Sequence, residues 1–268
     1  APAISSVNSF PGRIRATITW ITDELSDSVV RYGTSPADLN LKAFGSTMVK
    51  SYSIELSGLV PETTYYFDVE STDEAGNVAI DNNNGIHHTF TTLQQVVAFS
   101  DNMEKGLNGW VVEGSINGVT PDGGLWHRSQ RRAVSPVTSW YYGKEDTGNF
   151  DTGFRNWGSI TSPDIDLSAI KDSELLFQHY LATKSLSPYD TGMVQVSRDN
   201  GISWTTVLSK ITTNGAWVKE SVNISAFDKS VIKVRFFFDT LDSVLNNFEG
   251  WYVDDVQVLG ALNAKLIA

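Results

Sequence analysis

Apolar and polar residues alternate with period two along Arg15-Ala16-Thr17-Ile18-Thr19-Trp20, placing Ala16, Ile18 and Trp20 on one side. The same alternation runs through Tyr65-Tyr66-Phe67-Asp68-Val69-Glu70. Turn-forming groups separate such runs: Phe10-Pro11-Gly12, Gly33-Thr34-Ser35-Pro36 and Asp73-Glu74-Ala75-Gly76-Asn77. Short strands at this spacing predict a β-sandwich. After Leu93-Gln94-Gln95-Val96-Val97 the pattern changes to longer strands, at residues 175–181, 231–239 and 250–258, with long aromatic-rich segments between them. The chain therefore reads as two modules, residues 1–93 and 98–262.

Composition sharpens this into an all-β reading. Among 268 residues there are 8 Trp, 9 Tyr and 13 Phe, which suit pleated, half-buried surfaces. Charged residues make up 19% and hydrophobic residues 41%, a globular balance. The net charge of −11 repels phosphate backbones and argues against nucleic acid as a partner. It also favours divalent cations wherever carboxylates converge. There is no cysteine, which points to a prokaryotic exoprotein held together without disulfides. No run approaches the roughly 20 apolar residues of a membrane span. The opening Ala1-Pro2-Ala3 reads as a trimmed end, and the chain as a segment of a larger secreted or cell-surface protein.

In the first module, Leu59-Val60-Pro61-Glu62-Thr63-Thr64-Tyr65-Tyr66-Phe67-Asp68-Val69 resembles the fibronectin type III pattern Leu-x-Pro-x-Thr-x-Tyr-x-Phe-x-Val. The resemblance implies that the Tyr65 hydroxyl bonds back to upstream backbone and that Trp20 is the core tryptophan of the second strand. In the second module, three stretches stand out. Residues 99–110 carry Asp101 and Glu104 before Gly109-Trp110; residues 162–168 read Ser-Pro-Asp-Ile-Asp-Leu-Ser; residues 250–258 close with Trp251-Tyr252-Val253-Asp254-Asp255-Val256. This order resembles the MAM-like jelly-roll modules carried by secreted prokaryotic peptidases of the immune-inhibitor-A and subtilisin-associated types. It implies two packed antiparallel sheets and, in many relatives, a structural calcium. The expected fold class is thus all-β, a fibronectin type III-like sandwich plus a jelly-roll β-sandwich.

The parity of the closing strand gives the calcium expectation a physical basis. Alternation puts Asp254 with Tyr252, Val256 and Val258, and Asp255 with Trp251, Val253 and Gln257, so one carboxylate faces a sandwich interior. An unpaired buried charge is costly, and no Lys or Arg stands beside it in sequence. Calcium, a hard cation taking about six to eight oxygens, meets that need. First and last strands of a jelly roll are neighbours, so Asp101 and Glu104 complete the expected set of Asp101, Glu104, Asp254 and Asp255. The alternative is a strand-end aspartate bonded to loop amides.

Trp126, Trp140, Tyr141, Tyr142 and Trp157 cluster in one aromatic-rich region and are the candidate ligand-binding residues for sugar stacking; the competing reading makes them plugs that stiffen a loop. Ser197-Arg198-Asp199-Asn200-Gly201-Ile202-Ser203-Trp204 fits the Asp-box pattern, with Trp204 packing under a hairpin. No catalytic constellation emerges. His87 and His88 are adjacent and point to opposite faces of a strand, His127 and His179 lack a partner at ligand spacing, and Glu145-Asp146 lack an acid–base counterpart. The sequence therefore predicts a monomeric, non-catalytic extracellular segment. Its expected partners are a neighbouring catalytic domain of the same polypeptide, expected to be a peptidase, and extracellular polysaccharide or protein. Its functions are spacing and calcium-stabilised positioning, with carbohydrate binding or adhesion as the alternative.

Overall fold

The computed structural model describes residues 1–119, 124–184, 190–209, 213 and 215–262. The chain divides into two compact units, Ala1–Gln95 and Val96–Ala268.

The first unit holds β1 (Ile4–Pro11), β2 (Arg15–Gly33), β3 (Leu41–Ser57), β4 (Thr64–Thr72), β5 (Val78–Asp81) and β6 (His88–Thr91). The length of β2 and β3 makes the sandwich. The first half of β2 pairs with β1 and with the end of β3, whereas its second half, from Ser26, pairs with the start of β3 and with β4. Each long strand thus serves both layers. Inward side chains from the two layers, including Ala16, Ile18, Trp20, Val30, Phe67 and Val69, form one core. Trp20 stacks on Tyr52 with ring centroids 4.7 Å apart, and its indole N–H donates to Ser71 Oγ at 3.0 Å. The Tyr65 hydroxyl does bond upstream backbone, as acceptor: Val60 N–H donates to it at 3.0 Å.

The second unit contains two sheets. One is ordered β16 (Val218–Asn223), β13 (Ile170–Ala182), β18 (Gly250–Leu262), β10 (Ser139–Tyr142) and β9 (Trp126–Ser129), with β7 (Val96–Asp101) also pairing with β18. The other is ordered β15 (Thr205–Ser209), β14 (Thr191–Ser197), β17 (Val231–Asp239), β11 (Asn156–Thr161) and β8 (Val111–Ile116), with β12 (Ile165–Asp166) on β17. All these pairings are antiparallel. Facing side chains such as Phe177, Leu181, Trp251 and Val253 from one sheet and Val194, Ile160, Phe236 and Phe238 from the other fill a continuous core. As the jelly-roll reading expected, β7 and β18 are neighbours: Asp101 lies opposite Val256.

The parity argument for β18 fails at a bulge. Leu176 faces Gln257 and Gln178 faces Asp254, so three steps along β18 match two along β13. Asp255 takes a φ of 51° at this point. The extra residue resets the alternation, and Trp251, Val253, Val256 and Val258 all point into the same core. Neither aspartate has to enter the interior.

Candidate binding face

The four carboxylates expected to share a calcium ion are each held by N–H donors instead. Asp101, 5% exposed, accepts from Met103 N at 2.8 Å, Asn108 Nδ2 at 3.0 Å and Trp110 Nε1 at 2.9 Å. Glu104 Oε1 accepts from the amides of Val137 and Thr138 at 3.1 and 2.8 Å, which lower its pKa. Asp254 is buried beneath the β9–β10 loop and accepts from Val134 N, Ser135 N and Asp255 N at 2.8, 3.2 and 2.8 Å. Burial nonetheless raises its pKa to about 6. Asp255 accepts from Gln178 Nε2 at 2.8 Å. Glu104 and Asp254 anchor the same loop, but the four do not form one cage. Among the described residues no three Asp, Glu or His side chains converge as a metal site. The donor set of four therefore does not fit a single calcium ion; Asp254 bonds loop amides as the alternative reading has it, but from within β18 and not from a strand end.

The aromatic cluster is also redistributed. Trp126, Trp140 and Tyr142 lie on β9 and β10, not in a loop, and their side chains are at most 3% exposed within the core. They hold the two sheets together and present no surface to a ligand. Tyr141, between two inward residues of β10, points to the opposite side of that sheet. Trp157 lies half-buried on the outer side of the other sheet. Period-two alternation separates residues that are adjacent in the sequence.

Around Tyr141 the outer side of the first sheet carries a sealed network. Tyr141 stacks on Tyr252 at 4.2 Å and 6°, and Tyr180 packs edge-on against Tyr252 at 5.7 Å. Glu249 ties these rings together. Its carboxylate accepts from Arg132 Nε and Nη2 at 2.5 and 3.0 Å, Tyr180 Oη at 3.0 Å and Tyr252 Oη at 3.1 Å. Its backbone carbonyl accepts from Tyr141 Oη at 2.8 Å. Burial opposes ionisation of Glu249, but the Arg132 and tyrosine bonds outweigh it and lower the pKa. Arg132 lies over the Tyr180 ring at 4.4 Å. With Tyr141 and Tyr252 wholly buried, this side is a stiffened floor without an open stacking surface.

The outer side of the second sheet is different. Along β17, Val234, Phe236 and Phe238 point inward, so Arg235 and Phe237 point outward. Trp157 on β11 stacks on Phe237 with centroids 5.9 Å apart and planes at 27°. Arg235 lies 5.2 Å over Phe237 and 4.1 Å over Trp204, the residue just before β15. Its Nε donates to Gln195 Oε1 at 2.7 Å, and Gln195 Nε2 donates onward to Thr206 Oγ1 at 3.0 Å. Trp157, Phe237, Arg235 and Trp204 are all half-buried and form one strip across β11, β17, β14 and β15. Three inter-strand steps make this strip roughly 14 Å long. Trp204 is locked by the Asp box. Its Nε1 donates to Gly201 O at 3.1 Å, and Asp199 accepts from Ser203 N at 2.9 Å, which with the Ser203 hydroxyl lowers the Asp199 pKa to about 2. Sequence reasoning named Trp157 and placed Trp204 under its hairpin; it missed Phe237 and Arg235, whose alternation with Val234, Phe236 and Phe238 was the available signal.

Among the described residues, the histidine, serine and carboxylate groups nearest these faces are paired with one another. His127 Nε2 meets Glu145 Oε2 at 3.0 Å, and Ser129 Oγ donates to the same oxygen at 2.8 Å, so serine and histidine share a carboxylate without a serine–histidine bond. A cleft of about 680 Å³ beside them is lined by Glu104, Arg128, Val137 and Glu145 among others. Partial burial pushes Glu145 up, but bonds from His127 and Ser129 outweigh it, and both acids of this cleft have lowered pKa values. A glycosidase of the two-carboxylate type needs one of the pair raised to act as acid. Among the described residues, no His bonds a Ser or Thr hydroxyl. No described helix is long and apolar enough to cross a membrane.

Residues 8–92 match the family described as "Purple acid Phosphatase, N-terminal domain", a fibronectin III-like β-sandwich. No curated protein sequence matches the chain. Among solved structures, a β-sandwich carbohydrate-binding module is similar over 96% of this chain and 96% of its own, at 11% identity and a TM-score of 0.38. The K1 cleaved adhesin domain of Lys-gingipain from Porphyromonas gingivalis W83 is similar over 60% of this chain and 96% of its own, at 15% identity and a TM-score of 0.42. The family 22 carbohydrate-binding module of Clostridium thermocellum Xyn10B is similar over 61% and 93%, at 11% identity and 0.37. At these TM-scores none of the three decides what this chain binds.

Proposed function

We propose that this chain is a non-catalytic binding segment of a larger extracellular protein, and that its second module binds polysaccharide on the outer side of the second sheet. The observation that carries the reading is the strip of Trp157, Phe237, Arg235 and Trp204, in which three half-exposed rings are held in a row by an arginine and an Asp box. Rigid aromatic faces are apolar surfaces suited to the C–H faces of sugar rings, and Arg235, Gln195 and Thr206 supply polar groups beside them. The first module acts as a spacer. A catalytic domain of the same polypeptide is the expected neighbour: the motif resemblance favours a peptidase, while the match of residues 8–92 names a phosphatase family, and both are hydrolases whose chemistry lies outside this chain.

The test is retention of the full chain by a panel of insoluble polysaccharides, with affinity electrophoresis in the soluble ones. Binding to at least one member should weaken roughly two- to twelvefold in Trp157→Ala and in Trp204→Ala, given roughly 0.5–1.5 kcal/mol for each aromatic contact. It should be unaffected by Tyr141→Phe, on the sealed side of the other sheet. Retention that ignores both tryptophans, or no retention by any polysaccharide, overturns the proposal.

A further inference from the structure

Arg235 occupies the middle of the outer strip, opposite Thr161 on β11 and Gln195 on β14. Three contacts fix its head group. The guanidinium carbon lies 4.1 Å from the ring centroid of Trp204 and 5.2 Å from that of Phe237, and Nε donates to Gln195 Oε1 at 2.7 Å. The other N–H groups of the guanidinium are on Nη1 and Nη2. Among the described residues these two nitrogens meet no acceptor, and neither is shut off from solvent. Nor does any carboxylate of the described residues stand within ion-pair distance of Arg235. Neighbouring cations are treated differently. Arg155, just before β11, meets Asp239 with bonds of 3.1 and 2.7 Å, and Arg132 meets Glu249 with bonds of 2.5 and 3.0 Å. Lys233, two positions before Arg235 on β17, pairs with Asp164 at 3.0 Å. Of these cations Arg235 is the one given an amide oxygen in place of a carboxylate. Burial lowers its pKa, and Glu113, exposed on β8, opposes that fall only through space.

A half-buried guanidinium fixed in this way presents a planar fork of donors and no acceptor. A sugar hydroxyl brings a single oxygen to such a fork. A carboxylate brings a pair of oxygens that match it side by side, and these charge-assisted bonds are roughly twice as strong as neutral ones. The rings beside the fork call for an apolar C–H face. One ligand must therefore carry an anionic group and an apolar ring face together, and a uronic acid residue does so. Given the strip as a polysaccharide site, on which this inference depends, we propose that its ligand is a uronate-bearing polysaccharide, one sugar carboxylate pairing with Nη1 and Nη2 of Arg235 beside Phe237 and Trp204. The guanidinium is already held by both rings and by Gln195, so little of its freedom is lost on binding. Asp239 and Asp164 add little repulsion, because Arg155 and Lys233 neutralise them. The whole chain carries a net charge of −11, so no long-range attraction gathers an acidic polymer; selection is local, at one cation.

The experiment measures binding of the full chain to polygalacturonate and alginate, each before and after methyl esterification, to the neutral polymers xylan and mannan, and to dextran sulfate. At least one uronate polymer should bind more tightly than the neutral ones. Esterification removes the carboxylate charge without altering the protein and should weaken that binding on the order of ten- to a hundredfold. Arg235→Gln should weaken it to the same extent, and Arg235→Lys, which keeps the charge but not the fork, should recover only part. Trp157→Ala should weaken it roughly two- to twelvefold, because the same ligand also stacks. Should Arg235→Gln displace Trp204, the esterified polymers still read the pairing on the unaltered protein. Tryptophan-dependent binding that is as tight to xylan or mannan as to the uronates, or uronate binding that survives esterification, overturns the inference and leaves the polysaccharide reading standing. Uronate binding that ignores Trp157 is adsorption to surface charge and overturns it too. Arg235-dependent binding to dextran sulfate alone would assign the fork to sulfate esters and not to carboxylates. Retention by none of these or any other polysaccharide removes both readings together.

Discussion

Asp101→Ala separates a structural acceptor from a metal ligand. The substitution removes the acceptor of three N–H groups at 2.8, 3.0 and 2.9 Å. Asn108 is solvent-exposed and regains water at little cost. The Trp110 indole, 3% exposed, and the Met103 amide do not. An unsatisfied buried donor costs about 1–3 kcal/mol, so two together cost roughly 2–6 kcal/mol. Met103 adds to this because it is held at a φ of 61°, a left-handed conformation that the lost bond helped to fix. For a unit of this size each kcal/mol moves the midpoint by roughly 2–4 °C, giving a fall of roughly 5–20 °C. Differential scanning calorimetry of the full chain should place that fall in the second transition and leave the first in place. Asp101→Asn should recover only part of it, since its new amide nitrogen confronts the indole and Asn108 donors. The decisive comparison is between calcium and chelator: the penalty should be the same in both. A fall below about 1 kcal/mol, or a penalty that appears only in calcium, would refute the assignment of Asp101 as a hydrogen-bond acceptor for the turn.

Two further outcomes follow from the same geometry. Burial lifts Asp254 to about 6 against the amides that hold it. The folded state therefore retains a proton that the unfolded chain releases between pH 4 and 6, so this residue's contribution is fully present below about pH 4 and is lost as pH rises through about 6. The loss is at most about 3 kcal/mol and smaller with solvent screening; denaturant unfolding at four pH values should show this slope in the wild type relative to Asp254→Asn, and parallel profiles would contradict it. In the first module, Tyr65→Phe deprives the Val60 amide of its 3.0 Å acceptor and should cost about 0.5–1.5 kcal/mol in the first calorimetric transition alone. A shift in the second transition would mean that the two units do not melt separately.

Much of the architecture was legible in the chain because it rests on local periodicity. Ala16, Ile18 and Trp20, or Tyr65, Phe67 and Val69, are buried where alternation put them, and the Tyr65 hydroxyl bonds the upstream backbone that the fibronectin resemblance implied. Period two requires only neighbouring residues, so it survives without knowledge of what packs on the strand. The candidate site was not legible in the same way. Asp254 and Asp255 follow the alternation only up to a single-residue bulge, and a bulge depends on register against β13, which no local pattern records. Trp126, Trp140, Tyr141, Tyr142 and Trp157 looked like one cluster because they lie within one stretch of chain. The two sheets distribute them to the core, to one outer side and to the other. Conversely, Trp157 and Trp204 lie 47 positions apart and join one outer strip with Phe237 and Arg235 only because β11, β17, β14 and β15 pair side by side. Which polar groups are left without partners is settled by burial and pairing across the whole molecule, and that is information only the tertiary structure contains.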